Sequence, residues 1–355
     1  MDLKNRLILE EYRKNLDDFQ QMNQIINQKL KQLARESDIN TFSIQSRVKR
    51  ESSLAEKLVR HDGWYTHLCD LTDVLGGRVI CYFSDDVDRV GDYIEQYFDV
   101  DWSDYEDKRE SIDAESFGYA SLHYTCQLPK CDDYPERLCE WRFEIQVRTT
   151  LQHVWSDIEH DLGYKSEFGV PRAVQRGFAR VSALLELADD EFVRIRDLMN
   201  GYTESVRASI VEGTADDVPI DLISLNEYVR HNKGMRALLD RMAQLSGAQI
   251  EECDPGAYVA QLAWLDVVTI GGLSRLLEAN EEMACKMLSR ALESTDLDII
   301  SSSTGLRYLC HAELCRRGLD VEKVAEFLAL SLRNPERAKT RAGYLLRTYE
   351  ELAGE

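Results

Sequence analysis

The stretch Glu140 to Arg148 reads EWRFEIQVR, and its strict two-residue alternation is the pattern of an extended strand. Trp141, Phe143, Ile145 and Val147 fall on one side of such a strand, and Arg142, Glu144, Gln146 and Arg148 fall on the other. A helix would scatter both sets around its circumference. The chain must therefore contain a β-sheet with one apolar face turned to a core and one polar face turned away. Two arginines, a carboxylate and an amide in one row suit either a solvated strand face or a polyphosphate with its metal. The strand alone leaves both open.

Residues 1–37 have the spacing of a helix, with Leu16, Phe19, Met22, Ile26, Leu30 and Leu33 recurring every three or four positions. A second helical stretch runs from Ser52 to Arg60. Between Leu71 and Arg148 the rhythm changes to strands at Arg78 to Phe83, Tyr119 to Leu128 and Glu140 to Arg148, with a helix from Asp86 to Tyr97. From Thr150 helical spacing returns, with Leu151, Val154, Trp155, Ile158 and Leu162 as one stripe. A long helix then spans Arg172 to Tyr202 and carries Phe178, Val181, Leu184, Leu185, Ala188 and Phe192. Residues 213–221 are acidic, contain Gly and Pro, and read as a linker. It divides a mixed α+β region, 1–212, from an all-α region, 222–355.

A formal net charge of −21 opposes non-specific attraction to nucleic acid or acidic membranes. A polyanionic ligand must meet a local basic patch. Arg47, Lys49, Arg50, Lys57 and Arg60 form one, with a solvated helix face as the plain alternative. Arg333, Arg337, Lys339, Arg341 and Arg347 form a second, read as a solvated face in preference to a track for tRNA. No apolar run is long enough to cross a bilayer, and the N-terminus lacks the pattern of a secretory signal. Nine cysteines without a CxxC pair suit reduced thiols, so a cytoplasmic protein is expected.

On the strand around Tyr119, the residues Tyr119, Ser121, His123 and Thr125 share one face, after Gly118. Tyr119 suits stacking on a base, and His123 suits bonding a phosphate or hydroxyl. Asp73 precedes Gly76, Gly77 and the strand at Arg78, and with Glu144 it offers oxygen ligands for Mg²⁺. The plain alternative is a loop aspartate capping backbone donors. No GxxxxGK[ST] phosphate loop occurs. His123, Cys126, Cys131 and Cys139 are too irregularly spaced for a zinc cage. His153, Asp157 and His160 approach one helix face, read as solvated or hydrogen-bonded rather than metal-binding, and Asp189, Asp190 and Glu191 read as solvated helix surface.

Taken in order, SRVKRESSLAEK, DLTDVLGGRVICYF, FGYASLHY, FEIQVRT and WSDIEHDLGYK resemble the successive motifs of the RelA/SpoT alarmone synthetase family, over roughly residues 40 to 170. The resemblance implies a nucleotidyltransferase-like mixed sheet flanked by helices. It also implies transfer of the β,γ-pyrophosphate of ATP to the 3′-hydroxyl of GDP or GTP, with Mg²⁺ as cofactor. By motif position, Arg47 and Arg78 would sandwich the adenine, and Lys49 and Lys57 would contact the ATP phosphates. Asp73 and Glu144 would hold Mg²⁺, with Glu144 as metal ligand or base. Tyr119 would stack on the acceptor guanine and His123 would orient phosphate, supported by Ser121, Gln146 and Arg148.

The acceptor loop, DYEDKRESIDAESFGYASLHY, departs from the family pattern, with Lys108 and Arg109 in place of the usual basic contact among added acids. Acceptor identity stays open. A related toxin-like group shares the FGY-x-S-x-HY pattern and modifies adenine nucleotides or the 3′ end of tRNA. A non-catalytic nucleotide sensor is the reading from another class, disfavoured because a pure binder needs no full metal pair. No HDxxED hydrolase signature occurs, so synthesis without degradation is expected. Regulation, homo-oligomerisation and neutralisation of a toxic domain all stay open for 222–355.

Overall fold

The computed structural model describes residues 3–36, 39–107, 121–163, 171–293, 297–332 and 334–354. Two compact units divide it, Met1–Arg196 and Asp197–Glu355. Among the described residues no helix is long and apolar enough to cross a membrane.

The first unit is built on a mixed sheet flanked by helices, as expected from the sequence. Its strands are β1 (Thr41–Val48), β2 (Leu75–Cys81), β3 (Asp99–Val100), β4 (Glu106–Asp107), β5 (Leu122–Gln127) and β6 (Phe143–Thr149). They lie in the order β1-β2-β6-β5-β3, with β4 also paired to β5. The central pair β2–β6 is parallel and the others are antiparallel. The alternation of β6 is realised from Phe143 to Val147, with Phe143, Ile145 and Val147 completely buried and Glu144 and Gln146 only half-buried. Strand β1 had no counterpart in the expected strands. Its Thr41, Phe42, Ile44 and Val48 are strand-forming types, but polar residues between them mask the pattern.

Around the sheet lie α1 (Leu3–Lys14), α2 (Leu16–Glu36), α3 (Glu51–Arg60), α4 (Ser84–Tyr97), α5 (Glu136–Cys139), α6 (Thr150–Gly163) and α7 (Arg172–Glu212). The single N-terminal helix expected from periodicity is two. Asn15 separates them, its side chain donating to the Glu11 carbonyl at 2.9 Å in competition with the helix ladder. Helices α2 and α4 cover the same face of the sheet, because the residues that meet them share one row across it: Gly77, Ile145 and Tyr124. A Cβ on Gly77 would stand 3.2 Å from Leu30 Cδ1 of α2, and one on Gly91 of α4 would stand 2.6 Å from the Tyr124 hydroxyl oxygen. Both glycines let a helix lie close on the strands. The opposite face is left for chemistry.

Four hydrogen bonds tie α6, α7 and the sheet end together. The Trp155 indole donates to the Phe178 carbonyl at 3.1 Å, and the Thr149 hydroxyl donates to Asp189 Oδ2 at 2.7 Å. Arg196 grips Asp85 through two bonds of 2.9 and 2.6 Å and lies over the Phe83 ring. Two expectations are corrected here. Of the α6 stripe only Trp155 is buried, packed edge-on against the Phe178 ring, while Val154, Ile158 and Leu162 are exposed. Asp189 is not solvated surface but buried, because its side of α7 faces Thr149.

The second unit holds α8 (Leu222–His231), α9 (Lys233–Ser246), β7 (Gln249–Glu251), α10 (Ala257–Trp264), α11 (Ile270–Leu292), β8 (Ile299–Ser301), α12 (Thr304–Arg316), α13 (Val321–Ala329) and α14 (Pro335–Ala353). It is helical as expected, with one short parallel strand pair, β7–β8, added. The helix starts were written locally: Asp221, Asn232, Thr269, Asp320 and Asn334 each accept a backbone N–H of the first turn. Val206 and Ile210 of α7 are buried in this unit's core, so the division of the chain falls inside α7 and not at the expected linker. Residues 213–221 pack into the same unit, where Ala215 is buried and Ile220 N–H donates to the Val268 carbonyl at 2.9 Å.

Gly91→Ala forces its new methyl against the buried Tyr124 ring, and we expect a loss of about 1–3 kcal/mol in urea unfolding of the full chain. An unchanged midpoint would show that α4 does not need the close approach.

Candidate functional site

The strand registers carry the polar residues of four strands into two rows on the uncovered face. One row is Gln45, Arg78, Gln146 and His123, and the next is Arg47, Gly76, Glu144 and Thr125. Residues far apart in the chain become neighbours because each is the cross-strand partner of the next. Gly76, lacking a side chain, opens the second row beside Glu144. The resulting cleft, about 180 Å³, is lined by Arg47, Lys49, Asp73, Arg78, Glu144 and Gln146, together with Gln45, Ser46, Gly76 and Gly77.

Asp73 stands at the cleft floor just before β2. Its Oδ2 accepts from Lys49 and from Lys57, the latter at 2.8 Å. Lys49 is placed by its backbone, whose N–H donates to the Val74 carbonyl at 2.8 Å and whose carbonyl accepts from the Tyr12 hydroxyl at 2.7 Å. Lys57 comes from α3, one turn from that helix's end. Burial alone would push the Asp73 carboxyl up, but the two ammonium groups outweigh it and hold it below its ordinary value. For Lys57, burial works to lower the pKa, and the bond to Asp73 wins and raises it. The other oxygen, Oδ1, is buried with no hydrogen-bond partner among the described residues.

Glu144 is held differently. Its Oε1 accepts from His123 Nδ1 at 2.8 Å and from the Gln146 amide at 2.9 Å. Burial pushes its carboxyl up and the Asp73 charge adds to that push, but the His123 and Gln146 contacts prevail and keep it low. Two ionised carboxylates thus share one cleft rimmed by cations. Hard divalent cations take such oxygen ligands and complete their shell with phosphate and water. Among the described residues no group of three or more His, Cys, Asp or Glu is arranged to hold a metal.

The site residues expected from sequence divide into three sets. Arg47, Lys49, Lys57, Asp73, Arg78, His123, Glu144 and Gln146 come together at the cleft. Ser121 is completely buried at the start of β5, and Arg148 is buried one pair further along β6, bonding Gln146 Oε1 at 3.5 Å. Lys108, Arg109 and Tyr119 lie outside the described residues. The basic patch at 47–60 is not one helix face: Arg47 is on β1, Lys49 on the following loop, and Lys57 on α3. His123 and Cys126 point to opposite faces of β5, as the alternation requires.

Sequence reasoning missed Gln45 and Ser46, which follow from β1, and it read His153 only as a polar helix face. His153 Nδ1 lies 3.5 Å from Asp157 Oδ1, and its pKa is lowered by burial first and then by Arg148 and Arg78, against the pull of Asp157. It is therefore a neighbour of the site cations. Its spacing from Arg148 across the strand-to-helix junction was the available signal.

The model described as "Region found in RelA / SpoT proteins" matches residues 46–168. The chain is 30% identical over 157 residues to GTP pyrophosphokinase YjbM of Bacillus subtilis (strain 168), covering 43% of this chain and 71% of that protein. It is 26% identical over 204 residues to GTP pyrophosphokinase YwaC of the same organism, covering 55% and 90%. The crystal structure of small alarmone synthetase 1 from Bacillus subtilis bound to its product pppGpp aligns with a TM-score of 0.44 at 26% identity, over 53% of this chain and 97% of that one.

A group whose folded pKa is depressed contributes stability above its unfolded pKa and loses it as pH falls through the folded value. Lys57→Met removes one of the two cations on Asp73. We expect the Asp73 carboxyl, followed by carbon NMR, to titrate at higher pH in this variant than in the wild type, and acid unfolding to begin at higher pH. Superimposable Asp73 titrations would contradict the assigned cause.

Proposed function

The chain belongs to the RelA/SpoT family, and from that premise we propose that it transfers the β,γ-pyrophosphate of ATP to the 3′-hydroxyl of GDP or GTP. The observation that carries this reading is the pairing of Asp73 and Glu144, two ionised carboxylates in one cleft under Lys49, Lys57, Arg47 and Arg78. A site that only bound a nucleotide would gain nothing from two acids facing a polyphosphate. With a divalent cation they become useful. The relatives' name, GTP pyrophosphokinase, supports the same class of reaction.

The residues divide the work by chemistry. Arg47 and Arg78 sit on β1 and β2 at either side of Gly76, suited to stack on the two faces of the adenine. Lys49 and Lys57 already share one anionic oxygen, and a phosphate oxygen is an equivalent partner for each. Asp73 and Glu144 would hold Mg²⁺, and the unpartnered Asp73 Oδ1 fits that role. The ion would supply charge neutralisation on the transferred group.

A carboxylate kept below its ordinary pKa is a good cation ligand and hydrogen-bond acceptor but a weak base. Glu144 is therefore better suited to hold the ion and orient the 3′-hydroxyl than to carry its proton away. His123 and Gln146 fix Glu144 and face the acceptor side. For the acceptor itself, Tyr119 stacking on guanine, with Lys108, Arg109 and Ser121 near its phosphates, rests on motif position. Arg148 supports Gln146.

Glu144→Gln preserves size and the bonds of β6 while deleting the charge. We expect a folded protein with pyrophosphate transfer lowered at least about a thousandfold, assayed with labelled ATP and GDP, GTP, AMP or tRNA offered together. Label on AMP or tRNA in place of a guanine nucleotide would move the acceptor to the toxin-like reading. Substantial turnover by the folded variant would remove Glu144 from the mechanism.

A further inference from the structure

Four carboxylates are buried among the described residues: Asp86, Asp189, Glu227 and Glu313. Three are matched by arginines, Arg89 for Asp86, Arg207 for Glu227, and Arg316 and Arg317 for Glu313. Among the described residues Asp189 is matched by no cation. Its Oδ2 accepts from the Thr149 hydroxyl at 2.7 Å, and its Oδ1 has no hydrogen-bond partner among the described residues. Burial pushes its carboxyl up to about 6, with the Thr149 bond opposing and the Asp190 charge adding. A group in this position weakens the fold at neutral pH, because its ionised form is desolvated without a countercharge. Stability alone does not call for an acid there.

What it touches is the junction where the site strand becomes a helix. Thr149 is the last residue of β6 and pairs with Cys81 of β2. Its N–H donates to the Gln152 side-chain oxygen at 2.9 Å, and its hydroxyl oxygen accepts the Gln152 N–H at 3.1 Å. The hydroxyl has one proton, and its hydrogen bond goes to Asp189. Thr150 adds a bond to the Cys81 carbonyl at 3.2 Å. One residue before this clamp is Arg148, which bonds Gln146, which bonds Glu144. The β6 side chains therefore form a line from the clamp to the cleft.

We propose that Asp189 is a positioning residue: by accepting the hydrogen bond of the Thr149 hydroxyl it locks the β6–α6 junction and so sets Arg148, Gln146 and Glu144 for the reaction. This rests on the reading of that cleft as the transfer site. The stability it forfeits is the cost of a rigid end to the site strand.

The test compares Asp189→Leu, Asp189→Asn and Thr149→Val in the full chain by turnover, thermal midpoint and side-chain amide NMR. Asp189→Leu loses the acceptor and the buried charge together. We expect its midpoint at pH 7.5 to equal or exceed the wild type while kcat falls about tenfold, with KM for ATP changed by less than about twofold. Asp189→Asn keeps an acceptor oxygen and is expected to restore kcat. Thr149→Val removes the same bond from the other side, and the Leu and Val changes combined are expected to be no slower than the slower single variant.

Wild-type kcat in a folded Asp189→Leu or Thr149→Val protein, or an Asp189→Asn protein as slow as Asp189→Leu, would overturn the inference. An inactive wild type would instead strike at the transfer reading. In that event the Gln146 side-chain amide signals still report the link: displaced in Asp189→Leu and Thr149→Val but unmoved in Asp189→Asn if it holds, unmoved in all three if it does not.

Discussion

The parallel pairing of β2 with β6 is the constraint on which the site depends. It sets Gly76 beside Glu144 and Arg78 beside Gln146, and the antiparallel neighbours extend both rows to Arg47 and His123. A one-residue slip would send every polar side chain of β6 into the core and every apolar one to the cleft. Complete burial of Phe143, Ile145 and Val147 makes that slip prohibitive, at about 1.5–3 kcal/mol for each large apolar side chain moved to water. The hydrophobic core thereby fixes the chemistry on the other face.

Charge is arranged against the chain's average. A net charge of −21 disfavours a polyanion over most of the surface. At the cleft, Arg47, Lys49, Lys57 and Arg78 reverse the sign locally, and two lysines are spent on one aspartate. That pairing keeps the pKa of the Asp73 carboxyl low in spite of burial, raises the pKa of Lys57, and holds both ammonium groups at the cleft. Glu144 reaches the same state through a histidine and an amide. The two carboxylates that the proposed Mg²⁺ would share are thus held ionised by separate means.

Much of this was legible in the sequence, for reasons that differ by residue. The β6 alternation announced both a strand and the face on which Glu144, Gln146 and Arg148 stand. Asp73 was marked by the paired glycines that follow it. Strand β1 was not legible, because TFSIQSRV alternates too weakly, so Arg47 was placed in a basic patch and by motif position without a strand to carry it. The role of Asp189 was hidden for a different cause: an acid in the run Asp189, Asp190, Glu191 resembles helix surface until the helix is packed, and only tertiary contact separates one of the three. The division of the chain inside α7 escaped because a continuous helix carries no break in its pattern.

The central claim concerns the fate of the pyrophosphate. Mass spectrometry of products from the wild-type chain, given Mg²⁺, ATP and GTP, measures it most directly. The expected result is AMP together with a guanine nucleotide heavier by one pyrophosphate, carried on its 3′-oxygen. ATP recovered intact, or cleaved with water as the only acceptor, would contradict it.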